Sequence, residues 1–327
     1  MRDYEDNQVD DLTIYLSEQD VSGFLTMELA LESVKLAFKL KSQGSASNTP
    51  PMRMKFPQGG FSSSACSIPA LGVMGLKSNS NKSKCFVHIS SSVTGNLLAI
   101  IEGRQLEEYV TGAATGTATN SMANPQSHAM GIIGIGTVAL KQAEAISTIR
   151  NIDTITVYDN DLTANKIFAT KIGRCLGIST SPIADIEDCV KISDIIIVTN
   201  HIQPIIQGEW LRPGTHVNSV SNENFLNRAI DSDTVRRASV IAVQDIEQAR
   251  YGSGDLIYPV QEGITDWPKV SRISDIVLGK SKGRIAPSDI TIFESLSMAI
   301  EEIILGLRLY ELAKTNRVGM PIGFSSN

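Results

Sequence analysis

The sequence predicts an α/β protein in which a doubly wound parallel sheet is joined to a second, α+β domain completed by the C-terminal helix. Three observations predict it. Beyond Asn124-Pro125, short apolar runs alternate with segments of helical periodicity, the rhythm of parallel strands joined by crossover helices. The first of those runs leads into Gly134-Ile-Gly136-Thr-Val-Ala139, a glycine turn that opens a helix. Before Asn124 the grammar differs, with strands clustered together, and the last helical segment, Ser297 to about Asn316, stands apart from the alternation. At 327 residues the chain is long enough for two such domains, 1–124 with 297–327 and 125–296.

Each element has a local reason. Leu12–Leu16 alternates apolar and polar and reads as a strand, and Ser17 with Asp20 forms a capping box for a short helix. Thr26 caps a second helix whose positions Leu29, Leu31, Val34, Ala37 and Phe38 follow helical spacing, ended by Gly44. Residues 47–60 are extended and punctuated by Pro and Gly. Strands follow between Ser67 and Ile101, two of them joined as a hairpin through Thr94-Gly95-Asn96. Leu106–Met122 is rich in Thr, Ala and Gly, so it reads as a helix that packs closely despite weak propensity. From Ala129 onward about six strands recur between helices, the number of a Rossmann-type fold. Ser295 and Ser297 read as caps of the final helix, which Gly319 and Pro321 stop.

Bulk properties exclude several function classes. Net charge is −6 with a sequence pI near 5.3, and no basic stripe invites nucleic acid. No apolar run reaches membrane-spanning length, and the acidic start MRDYEDNQVDD is unlike a signal peptide. Cys66, Cys85, Cys175 and Cys189 are scattered without a CxxC pair, as are the four histidines, so the expectation is a cytoplasmic protein with no metal site.

The glycine turn carries the chemistry. Gly134 permits the tight turn, Gly136 lets the backbone approach a pyrophosphate, and Ala139 lets helix and strand pack closely. Thr137 and Val138 lie in the first helical turn, whose N–H groups favour an anion. Asp159 ends the next strand, where a carboxylate accepts ribose hydroxyls and repels a 2′-phosphate, so NAD is expected over NADP. Thr199 and Asn200 end a later strand, at the edge where open α/β sheets bind cofactors.

Several segments together resemble the ornithine cyclodeaminase/mu-crystallin family. They are Pro50-Pro51-Met52-Arg53, Gly75-Leu76-Lys77, Thr94-Gly95, the Leu106–Ala118 helix and the Gly134–Ala139 turn. Ser193-Asp194-Ile195 follows, with Thr199 and Pro204, then Trp210 to Asn218, Gly283-Arg284 and Ile290 to Ser295. They keep their order over nearly the whole chain. The resemblance implies a homodimeric oxidoreductase that moves hydride between NAD and the carbon of a C–N bond in a small amino or cyclic imino acid. It places Arg53 and Lys77 on the substrate carboxylate, with Lys77 at the reacting carbon.

Three departures bear on the chemistry. Val110 stands where the family carries an Arg before Thr111, which removes one carboxylate-binding cation. Asn222-Glu223 replaces a Gly-Asp pair, leaving Glu223 as the candidate acid/base. Residues 56–77 hold no Asp or Glu, where cyclodeaminases of the family carry a carboxylate. That favours amino-acid oxidation or ketimine reduction over ornithine cyclodeamination, while a catalytically silent NAD(H)-binding protein stands as the reading from another class.

Overall fold

The computed structural model describes residues 12–57, 59–80, 84–199, 202–220 and 226–323. In chain order its first elements are β1 (Thr13–Leu16), α1 (Glu18–Ser22), α2 (Met27–Ser42), β2 (Ser47–Asn48), β3 (Met52–Phe56), β4 (Gly59–Ile68), β5 (Val73–Ser80), β6 (Lys84–Ser91), β7 (Leu97–Glu102) and α3 (Arg104–Met122). Then come β8 (Ala129–Ile133), α4 (Thr137–Ile149), β9 (Thr154–Tyr158), α5 (Leu162–Leu176), β10 (Ser179–Pro182), α6 (Ile186–Ile192), β11 (Ile195–Thr199) and β12 (His216–Val220). The last are α7 (Ser232–Arg237), β13 (Ala238–Val243), α8 (Ile246–Gly252), α9 (Gly254–Gln261), β14 (Val270–Arg272), α10 (Ile273–Val277), β15 (Ile290–Ser295), α11 (Ala299–Asn316) and β16 (Met320–Ile322). The chain divides into two compact units, Met1–Val110 with Met298–Asn327, and Thr111–Ser297, so the first boundary falls inside α3.

The first unit is built on a sheet of order β16-β1-β7-β6-β5-β4-β2, with β3 also paired to β4. The Ser17 side chain accepts from Asp20 N and the Asp20 side chain accepts from Ser17 N, closing the expected capping box. Thr26 caps α2 through Leu29 N. β6 and β7 form the expected antiparallel hairpin. Register assigns the faces of the sheet. Arg53 pairs with Ser62 and Ser62 with Asn79, so Arg53, Asn79 and Lys77 share one face. Met52, Met54, Phe56, Met74 and Leu76 share the other and are exposed. α11 packs on α2 and on β4 to β6. It comes so close that a Cβ at Gly75 would lie 2.2 Å from Ile303 Cδ1 and 2.7 Å from His88 O. Its N-cap is Met298 with no side-chain cap, so Ser297 does not cap it as the sequence suggests. Instead Ser297, at φ 57°, donates its N–H to Gln244 Oε1.

The second unit is a parallel sheet of order β10-β9-β8-β11-β12-β15-β13-β14. It has two strands more than the sequence reading counted. β14 is too short to show a period, and β15 buries Thr291, Glu294 and Ser295 among its apolar residues, which hides its apolar signal. The low-propensity helix α3 has a packing reason: Cβ atoms at Gly112 and Gly116 would lie 2.5 Å from Lys141 O and 3.0 Å from Ala145 Cβ of α4. Only glycine lets the two backbones approach so far. His216, on β12, is fully buried, with Nδ1 2.8 Å from Thr291 Oγ1 and Nε2 3.2 Å from Asn218 Oδ1. Burial first, then the Arg284 guanidinium, push its pKa down to about 3.

Two outcomes follow. Gly75→Ala will destabilise the protein by about 1–3 kcal/mol in denaturant titration through overpacking, and Ile303→Val in the same chain will recover part of the loss. His216 stays neutral in the fold while its unfolded counterpart takes a proton below about pH 6.5. The wild type therefore loses stability as pH falls from there toward 3. His216→Gln removes that contribution, and the wild type's advantage over it will shrink by about 2 kcal/mol between pH 6.5 and 4.5.

Candidate functional site

In the second unit, the chain leaves β8 through Gly134 (φ 90°) and Gly136 (φ 146°), left-handed conformations that favour glycine. Gly134 N donates to Tyr158 O at 3.0 Å, which ties the turn to the end of β9. A Cβ at Gly136 would meet nothing within 4 Å, so open space lies over the turn. Gly136 and Thr137 are exposed, Val138 is half-buried and Ala139 is buried against the core. α4 starts here without a side-chain cap from Gly136, leaving its positive end to an anion. Asp159 directly follows β9, half-buried, with Oδ1 accepting from Asp161 N at 2.9 Å. Thr199 ends β11, buried. Because β9, β8 and β11 are neighbours, the structure gathers Gly134, Gly136, Thr137, Val138, Ala139, Asp159 and Thr199 at one sheet edge. Open space over a glycine turn, a helix start and one carboxylate fit a dinucleotide's pyrophosphate and ribose. Asn200 and His201 lie outside the described residues.

In the first unit, Lys77 is not the solvated strand residue that its type alone suggests. Its side chain is 10% exposed. Nζ donates to Glu302 Oε1 at 2.6 Å and lies 2.9 Å from Glu107 Oε1. Burial by itself would lower the ammonium's pKa, but Glu302 and then Glu107 outweigh it and hold the group well above the usual lysine value. Glu302 comes from the first turn of α11 and is fully buried, whereas the Glu107 side chain, on α3, is 31% exposed. Asn79 Nδ2 donates weakly to Glu107, at 3.3 Å from Oε2. Val110, one turn further along α3, is buried and apolar. Cys85 faces the same cluster, where burial pushes its thiol up to about 12, so it stays protonated and inert.

Arg53 sits exposed on β3, on the Lys77 face and two strand spacings from β5, or about 10 Å. The expected cationic patch is thus one exposed guanidinium and one buried ammonium flanked by carboxylates. Glu223 lies outside the described residues. Sequence reading did not find Glu107 or Glu302, which join Lys77 only in three dimensions. The second unit also holds an unanticipated buried carboxyl pair. Ser253 Oγ donates to Glu294, while Asp255 accepts from Ser219 Oγ and from Ala229 and Ile230 N. Burial raises both pKa values.

The buried ion pair has a measurable signature. Lys77→Met removes the ammonium that the buried Glu302 accepts from and will cost about 3–5 kcal/mol in unfolding free energy. Lys77→Met combined with Glu302→Gln will cost less than Lys77→Met alone, the non-additivity of a coupled pair.

Residues 12–317 match the model of the ornithine cyclodeaminase/mu-crystallin family. An alanine dehydrogenase of Archaeoglobus fulgidus is 28% identical over 95% of this chain and 98% of its own. A Thermococcus litoralis Δ1-pyrroline-2-carboxylate reductase, solved with NADH and L-proline, is 31% identical with a TM-score of 0.91, covering 95% of this chain and 100% of that one. An archaeal alanine dehydrogenase dimer with bound NAD is 28% identical with a TM-score of 0.90, covering 96% of this chain and 100% of that one. The match runs from β1 through α11, and the chain belongs to the ornithine cyclodeaminase/mu-crystallin family.

Proposed function

We propose that the protein is an NAD(H)-dependent oxidoreductase that moves hydride at the carbon of a C–N bond in a small α-amino acid or cyclic imino acid. The carrying observation is the Gly134–Ala139 turn with Asp159 beside it, a set of residues that fits NAD in a chain of this family. Relatives named for pyrroline-2-carboxylate reduction and alanine dehydrogenation support the reaction class. NAD supplies the hydride acceptor or donor when bound. The protein's part is to hold both reactants. Gly134, Gly136, Thr137, Val138 and Ala139 hold the pyrophosphate through the turn and the first α4 N–H groups. Asp159 takes the ribose hydroxyls, and Thr199 lines the strand edge.

Arg53 and Lys77 hold the substrate carboxylate. Arg53 offers a two-pronged donor and Lys77 a compact charge that stays protonated over the working range. Glu223 handles the proton on the substrate nitrogen. Substrate binding and dimerisation fall to the unit Met1–Val110 with Met298–Asn327, and the nucleotide to Thr111–Ser297. A homodimer is supported by the exposed apolar face of Met52, Met54, Phe56, Met74 and Leu76. All four cysteines are free, which suits a reducing, cytoplasmic setting. No described helix is long and apolar enough to cross a membrane, and no described group of three His, Cys, Asp or Glu side chains could hold a metal ion.

A second reading, ornithine cyclodeaminase, is favoured by one observation. The carboxylate missing from residues 56–77 is supplied beside Lys77 by Glu107 and Glu302. Absorbance assays separate the readings. Consumption of NADH with Δ1-pyrroline-2-carboxylate, or its formation with L-alanine, is expected. Ornithine turned to proline and ammonia without net NADH would select the cyclodeaminase. Tight NADH binding with no turnover on any amino or imino acid would overturn both. Asp159→Ser will weaken NAD binding about tenfold, the loss of a charged hydrogen-bond partner, and narrow the preference over NADP.

A further inference from the structure

Lys77 is already occupied by carboxylates, and the two differ in what they can do. Glu302 is fully buried on α11 and has no water to retreat into. Glu107 has a side chain 31% exposed, so it can exchange Lys77 for solvent at little cost. Its second hold is weak, an Asn79 amide at 3.3 Å and 3.4 Å from its two oxygens.

Charge decides what an incoming anion meets. Two glutamates already face the one ammonium before any ligand arrives. Val110, one helical turn from Glu107, supplies no compensating cation where the family pattern has an Arg. A third carboxylate added to this cluster would face like charges in a poorly solvated place. A carboxylate that replaces Glu107 would not, because the charge count on Lys77 is then unchanged.

Resting on the function proposed above, we propose that Glu107 is a specificity-determining residue: an internal carboxylate seated on Lys77 that the substrate's carboxylate displaces. Glu302 is its fixed counterpart, a positioning residue that keeps Nζ in place while the exposed partner changes. Glu107 therefore taxes every carboxylate ligand. The tax falls hardest on ligands that can engage Lys77 alone and least on those that also reach the Arg53 guanidinium on the same face.

The test uses pyrrole-2-carboxylate, a planar carboxylate that cannot accept hydride, titrated calorimetrically into the full-length protein with saturating NADH. Glu107→Gln and Glu107→Ala are expected to tighten its binding about three- to tenfold, since each removes the competitor from a partly exposed pair. Both variants alter a half-exposed side chain, and unchanged thermal unfolding checks that the fold is intact. Wherever a substrate is turned over, KM is expected to fall by a similar factor. Weaker or unchanged binding in both variants overturns the proposal, and a raised KM points instead to Glu107 contacting the substrate nitrogen. Tighter probe binding without turnover on any substrate would leave this inference standing and reject hydride transfer. Turnover with unchanged binding in the variants would do the reverse.

Discussion

A lysine ammonium held inside the first unit between two glutamates is the constraint on which that unit depends. An ammonium cannot leave water for a sheet face unless its charge is met there. Glu302 meets it at 2.6 Å, and Glu302 lies more than 200 positions away in sequence. The unit that begins at the N-terminus therefore has to be closed by α11. The closure needs close approach, which Gly75 allows by leaving its Cβ position to Ile303. One missing methyl group and one buried ion pair thus act together. The first lets the helix reach the sheet, and the second fixes which turn of the helix faces Lys77.

The second unit solves a different problem with the same economy of small residues. Gly112 and Gly116 let α3 lie against the backbone of α4. The same α4 opens at the Gly134–Gly136 turn. Close packing of α3 on α4 therefore steadies the helix whose start would meet an anion. Further along α3, Thr119 exchanges hydrogen bonds with Asn218, which in turn reaches His216. These polar groups are buried and bonded to one another, so they fix register between α3, β12 and β15 rather than serve chemistry.

Legibility divides along the range of the interactions. The capping box at Ser17, the Thr26 cap, the β6–β7 hairpin and the Gly134–Ala139 turn are written within a few residues, and periodicity reads them directly. β15 was legible only as a motif, because half of its buried residues are polar and bonded to distant partners such as Gln244 and Ser253. The surroundings of Lys77 were not legible at all. Neither Glu107 nor Glu302 stands near it in the chain, and no local pattern distinguishes a glutamate that faces a buried lysine from one that faces water. Ser297 misled for a related reason. A serine just before a helix is a good cap by type, yet its left-handed backbone is held by Gln244 from another strand end.

That difference of range bears on how this family's branches are told apart. A linear criterion asks whether a carboxylate stands between the Arg53 and Lys77 positions, and residues 56–77 have none. The chemistry asks something else, namely whether a carboxylate stands near Lys77 in space. By that measure the site is acidic, with Glu107 on α3 and Glu302 on α11 within 3 Å of Nζ. Buried, apolar Val110 brings no cation to this face, and Glu107 one turn earlier already occupies Lys77. Together they lower the affinity of the face for a carboxylate, and least for a ligand that displaces Glu107 while also engaging Arg53 on the same face.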